Sequence, residues 1–132
     1  MPLASVTRLR LRSLRFTPLL FWRAFGSLRQ ARRSEGCLAA DARTFGGRVF
    51  WTRTVWRDSE AMRAFMTGGA HAMAMRKLPH WCDEAAVVHW EQASAELPPW
   101  HDAETRMRTA GRTSRVRHPS PAHARGETVP ET

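Results

Sequence analysis

Apolar and polar positions alternate most regularly between Arg48 and Gln92, and the rest of the chain is arranged around that stretch. From Val49 to Trp56, Phe50, Thr52, Thr54 and Trp56 fall on one side of a strand and Val49, Trp51, Arg53 and Val55 on the other. The β-branched and aromatic content supports that reading. Arg57-Asp58-Ser59 ends the strand, and Asp58 or Ser59 can cap a helix carrying Glu60, Met62 and Phe65. Thr67-Gly68-Gly69 then breaks the pattern, because each glycine costs about 1 kcal/mol relative to Ala inside a helix. Helical spacing resumes through His71, Met75 and Leu78 and is expected to stop at Pro79. Ala85 to Gln92 is a further strand, with Val87, His89 and Glu91 on one side and Val88, Trp90 and Gln92 on the other.

Upstream, Ala4 to Ser13 reads as a strand in which Arg8, Arg10 and Arg12 alternate with Leu9 and Leu11. Leu20, Ala24, Leu28 and Ala31 recur at helical spacing within Leu19 to Arg33, with Pro18 suited to the first turn. Glu35-Gly36 ends that helix, Cys37 to Thr44 is a weaker strand, and Phe45-Gly46-Gly47 turns the chain into the strong one. The order β-α-β-β-α-β predicts an α+β, ferredoxin-like fold: a four-stranded antiparallel sheet with two helices on one face. The other face needs a cover, and a second copy supplies one, so a homodimer in the form of a dimeric α/β barrel is expected. If Phe50, Thr52, Thr54 and Trp56 form the uncovered face, aromatics and hydroxyls line a small-molecule pocket between the sheets. Alternatively, the same side chains fill the dimer core.

A length of 132 residues suits one domain, expected over residues 1–101. Residues 102–132 are basic and rich in Pro, Ser and Arg, and are expected to form a largely mobile tail after Leu97-Pro98-Pro99-Trp100 lays Trp100 on the domain. Within that tail, Ala103 to Arg108 has the makings of one short helix. The net charge of +9 invites an anionic partner. Its alternation with leucine favours a solvated surface, and Arg106, Arg108, Arg112, Arg115 and Arg117 lack the aromatic interleaving of a nucleic-acid site. Residues 1–34 contain no Asp or Glu, as a transit peptide would, yet the fold needs them as a strand and a helix. No apolar run approaches the roughly 20 residues of a membrane span. Cys37 and Cys82 form no disulfide or metal pattern and fit a reducing, cytoplasmic setting.

Chemistry concentrates where the pattern is strongest: Arg48 to Gln92 holds four of six tryptophans and three of six histidines. His71 and His80 are candidate bases, with Glu84 or Asp83 near enough in sequence to orient His80. A helix-end role, with His80 on the last carbonyls and Trp81 in the core, competes with that reading. His89 and Glu91 share a strand face and read as a surface cross-strand contact. A zinc site from His71, His80, Cys82 and His89 lacks any recognised ligand spacing. No phosphate-binding glycine loop or G-x-S-x-G motif is present.

F-W-T-R-T-V-W-R-D-S-E-A-M-R-A-F, G-A-H-A-M-A-M and H-W-C-D-E-A-A-V-V-H-W-E-Q resemble an uncharacterised bacterial family of the dimeric α/β-barrel superfamily. That family is related to spheroidene monooxygenase and, more distantly, to antibiotic-biosynthesis and haem-degrading monooxygenases. The resemblance spans roughly Val6 to Trp100. It implies an oxygenase-like protein acting on a hydrophobic or anionic small molecule, with haem as the cofactor the haem-degrading relatives suggest. The Trp56 and Phe65 spacing is similar to theirs, but Met75 stands where they carry the iron-binding His, and Thr7 to Arg12 offers no match for their pocket Asn. His71, one turn earlier, is the residue that can serve as axial ligand instead. The expected site is then His71 and Trp56 as catalytic groups, with Arg10, Arg12, Phe50, Thr52, Thr54, Phe65, His80 and Glu84 around the substrate. The Arg pair would hold an anionic group. A non-catalytic small-molecule binder or scaffold dimer is the alternative, followed by a basic dimer associated with nucleic acid.

Overall fold

The computed structural model describes residues 1–130. Strands β1 (Leu3–Leu11), β2 (Cys37–Phe45), β3 (Val49–Trp56) and β4 (Cys82–Glu91) form an antiparallel sheet in the order β2-β3-β1-β4, with the short β5 (Arg112–Thr113) added beside β4. Helix α1 (Thr17–Arg33) follows β1 through a single 3₁₀ turn, and α2 (Ser59–Met66) and α3 (Gly69–Trp81) lie between β3 and β4. This is the predicted ferredoxin-like α+β arrangement. A C-terminal segment containing α4 (Trp100–Ala110) and α5 (Pro121–Ala124) is added to it.

Local chemistry accounts for the element ends. Asp58 caps α2 by accepting from the Ala61 N–H at 2.8 Å. Gly36, at φ +85°, turns the chain out of α1 where a Cβ would stand 2.6 Å from that of Ala61, so no larger residue fits. The Gly68-Gly69 break is tied by Gln30 of α1, which donates to the Phe65 and Gly68 carbonyls at 3.1 and 2.8 Å and accepts from the His71 N–H at 2.8 Å. Pro79 does not stop α3, which continues through Trp81 straight into β4. A proline there forfeits its own N–H bond, while the Cys82 N–H still closes the helix end on the Leu78 carbonyl.

Register decides which side chains share a face. Phe50, Thr52, Thr54 and Trp56 lie with Leu9, Thr7, Ser5 and Leu3 of β1. Phe50 packs with Leu11, Phe16, Leu20, Trp81 and Cys82, and Trp56 with Ala31, Ala40, Ala61, Met62 and Phe65. That face therefore lies under the helices and is not the uncovered one. The expectation failed because β3 is apolar on both sides, so its alternation does not say which side the helices take.

The opposite face carries Val6, Arg8 and Arg10 with Val49, Trp51 and Arg53, and its cover is the chain's own C-terminal segment. Ala103 and Met107 of α4 are fully buried against Val6, Trp51, Ala86 and Val88. Trp100 lies between two guanidiniums, Arg43 at 4.3 Å and Arg53 at 4.2 Å from its ring. Arg53 also donates to the Pro98 carbonyl at 2.7 Å and pairs with Asp41 at 2.8 Å. Farther on, the Ser114, Arg117 and Ser120 N–H groups donate to the Ala85, Pro79 and Asp83 carbonyls. The segment expected as a mobile tail is thus laid along β4. Composition does not reveal this, because a few apolar residues and a run of backbone bonds hold the segment. With that face occupied, the argument for a homodimer loses its physical ground.

One polar cluster joins cover to sheet. Glu84 is buried, accepts from Arg8 Nη1 at 2.9 Å and Arg10 Nη1 at 3.1 Å, and takes the Ser120 hydroxyl at 2.7 Å. Burial alone would raise its pKa, but the Ser120 and Arg8 hydrogen bonds and the two guanidiniums hold the carboxyl below its ordinary value. Its stabilisation is complete above the unfolded carboxylate pKa and is lost as pH falls through the lower folded one. Glu84→Ala leaves Arg8 buried without its partner, and urea unfolding should show a loss of about 3–5 kcal/mol. Ser120→Ala should cost about 1–3 kcal/mol by the same measurement.

Candidate functional site

On the helix-facing side of the sheet, two apolar clusters are separated by a polar strip. Register places Ser5 between Thr54 and His89, and Thr7 between Thr52 and Val87. All six are only partly buried. Two polar atoms on the inner side of this layer are buried without a hydrogen-bond partner, Nε2 of His89 and Oγ of Ser27 on α1. Buried polar atoms are nearly always paired, so orphans of this kind mark a place where a ligand or water completes the bonding.

His89 also lines a recess of about 250 Å³ with Val87, Val88, Ala110 and Arg112, where β4 meets β5. Burial, reinforced by the Arg112 charge, holds the His89 pKa below its ordinary value of 6.5. The imidazole is neutral at neutral pH, and its Nε2 has hydrogen-bonding capacity to spare. The sequence pattern reads His89 as a surface contact with Glu91. The alternation holds, but the side that His89 faces is the one under the helices.

The residues expected from the sequence do not form one pocket. Trp56, Phe65 and His71 do meet: Trp56 stacks on Phe65 at 5.0 Å, and Phe65 touches the His71 ring at 4.4 Å. His71 Nδ1 lies 3.1 Å from the Met66 carbonyl, and burial lowers its pKa more than this bond raises it. Thr52 and Thr54 belong to the polar strip, although the Thr54 hydroxyl already accepts from the Trp56 indole at 2.9 Å. Phe50 sits in the other cluster, edge-on to Phe21 at 5.2 Å. Arg10 and Glu84 pair on the opposite face. Arg12 lies at the rim, donating to the His80 carbonyl at 2.7 Å and covering Phe16, and His80 is exposed beside it. Glu84 therefore cannot orient His80.

These positions do not fit haem. The space beside His71 is filled by the stacked Trp56 and Phe65, both buried, and Met75 points outward. The recess at His89 is smaller than the roughly 300–1,000 Å³ usual for ligand sites and does not admit a tetrapyrrole. Cys37 and Cys82 are free thiols, and burial, with the Asp83 charge, pushes Cys82 up to about 12. Among the described residues, no cluster of His, Cys, Asp and Glu is placed to hold a metal.

A second, larger cleft of about 680 Å³ opens on the covered face between the end of β4, residues 92–99 and α4. Trp90 forms its wall with the Arg106 guanidinium 4.9 Å from the ring, and Leu97, Pro98 and Pro99 line one side.

The sheet order, helix layer and connectivity define a ferredoxin-like fold, one that structures named as antibiotic biosynthesis monooxygenases share. An antibiotic biosynthesis monooxygenase superposes with a TM-score of 0.62 at 13% identity, covering 70% of this chain and 99% of that one. PA3566 from Pseudomonas aeruginosa gives 0.62 at 15% identity, covering 70% and 95%. NE2512, a protein of unknown function from Nitrosomonas europaea, gives 0.60 at 23%, covering 74% and 95%. At such identities the likeness shows the fold alone. The chain belongs to the DUF3291 family, a domain of unknown function whose profile matches residues 22–117. That span takes in α4 and β5, so both lie within the family's domain. No functionally curated protein matches the sequence.

The His89 environment makes a direct prediction. In an NMR titration of the imidazole proton signals, His71, His80 and His89 should titrate below 6.5, and His89→Gln should remove one of these three signals.

Proposed function

We propose that this protein binds a compact, largely apolar molecule bearing an ionisable hydroxyl in the recess beside β4, and that His89 takes its proton. Two observations carry this reading: Nε2 of His89 is buried without a hydrogen-bond partner, and the same residue lines a recess. A neutral imidazole accepts a proton from a phenol or enol, and Arg112 at the same recess stabilises the anion left behind. Val87, Val88 and Ala110, which line the recess with His89 and Arg112, supply apolar contact.

Electron-rich anions of this kind are the form in which organic molecules react with dioxygen. The monooxygenase reading, including kinship with spheroidene monooxygenase, belongs to this proposal and draws its support from the fold. It calls on no haem, and all five residues that line the recess come from one chain. In this reading the roles expected of His71 and Trp56 pass to His89. A binder without turnover is the second reading, favoured by the small size of the recess.

Calorimetric titration with 1-naphthol tests the site. Saturable binding should weaken about tenfold or more in His89→Ala, the loss of one buried hydrogen bond to an ionised group. Affinity should also fall as pH drops through the folded His89 pKa. Failure of the wild type to bind, or equal binding by the variant, would sink the proposal. Oxygen consumption with the bound phenol separates an enzyme from a binder.

A further inference from the structure

The outer surface of the helix layer has a composition that neither the fold nor the recess requires. Trp22 and Phe25 of α1 are 78% and 65% exposed, and Leu19 on the same helix is also exposed. Pro18, Trp22, Phe25, Arg29 and Arg33 recur at three or four residues, so they form one outward stripe, apolar in its first half and basic in its second. The inner face is accounted for separately by Leu20 and Ala31, both buried.

Helix α3 lies alongside, since a side chain at Gly26 would stand 3.4 Å from Ala70. It presents Met73, Met75, Arg76 and Lys77 to solvent. Neither helix contains a single Asp or Glu. An apolar face with isolated aromatic rings, set among arginines and lysine without acids, is convex and continuous over the length of α1, about 25 Å at 1.5 Å per residue.

We propose that this face docks the protein on an anionic lipid surface. Aromatic side chains enter the headgroup boundary and guanidiniums pair with lipid phosphates in the arrangement of an interfacial helix, here built into a folded domain. A second copy of the chain is a poor occupant, because it would set two acid-free basic faces against each other. Docking by this face leaves β4, its recess and the C-terminal cover directed away from or beside the membrane. It is independent of whether His89 binds a ligand.

Vesicle co-sedimentation of the full chain, in about 0.1 M salt, tests the inference. Phosphatidylglycerol–phosphatidylcholine vesicles should pellet the protein, and phosphatidylcholine alone should pellet at least about tenfold less. The double variant Trp22→Ser/Phe25→Ser and the double variant Arg29→Gln/Arg33→Gln should each lose about tenfold in bound fraction. All four side chains are exposed, and unchanged circular dichroism and thermal midpoint would show that the variants fold. Three results would overturn the inference: no pelleting with either vesicle, equal pelleting with both, or aromatic variants that pellet like the wild type. The last would mean that the charge attracts any polyanion, nucleic acid included.

Discussion

A carboxylate shut inside a protein is tolerable only if its charge is answered, and Glu84 sets that condition for the whole molecule. Its partners come from β1, which supplies Arg8 and Arg10, and from the C-terminal segment, which supplies Ser120. Strands β1 and β4 must be in register, and the last part of the chain must be in place, before all the lone pairs are filled. Removing any one participant leaves a buried charge or donor, which costs more than the bond itself contributed. The cluster therefore couples sheet register to the cover in a way that Ala103 and Met107, packing without direction, cannot.

This coupling divides labour between the two faces of one sheet. The face with Trp51, Val6 and Val88 is sealed by α4 and is the structural face. The helix-facing side is built differently: apolar clusters close its two ends, and the strip of Ser5, Thr7, Thr52, Thr54 and His89 between them holds one buried atom without a partner, Nε2 of His89. The ferredoxin-like fold hosts many chemistries, so likeness to antibiotic-biosynthesis-monooxygenase structures narrows the architecture and not the reaction. The candidate chemistry of this chain lies instead in a neutral imidazole beside an arginine, in a recess its own β5 helps to form.

Much of the architecture was legible because local signals agreed with one another. Asp58 capping α2, the Gly68-Gly69 break and Trp100 clipped back on the domain each follow from residues a few positions apart. What escaped was the choice between faces. Val49, Trp51 and Val55 are as apolar as Phe50 and Trp56, and only the path of distant segments decides which set meets the helices. Arg10 and Thr52 were placed in one pocket for that reason, although the pleat sends them to opposite sides. Glu84 lies only four residues after His80, yet its partners are Arg8 and Ser120, many residues away. The cover was hidden for a related reason. Its sequence is polar and basic throughout, and the few residues that bury gain their meaning from a surface made elsewhere.

The position of that cover along the chain has a consequence for biogenesis. The four strands are complete by Glu91, whereas the residues that seal one side of them are synthesised afterwards. At about 5–20 residues per second, a ribosome holds the nascent sheet for seconds with Trp51, Val6 and Val88 bare and Arg8 and Glu84 still short of Ser120. During that interval the chain is an adhesive half-product, and a stop codon between β4 and α4 would make the condition permanent. Quality-control proteases and chaperones would meet this protein first through the face that the finished molecule hides.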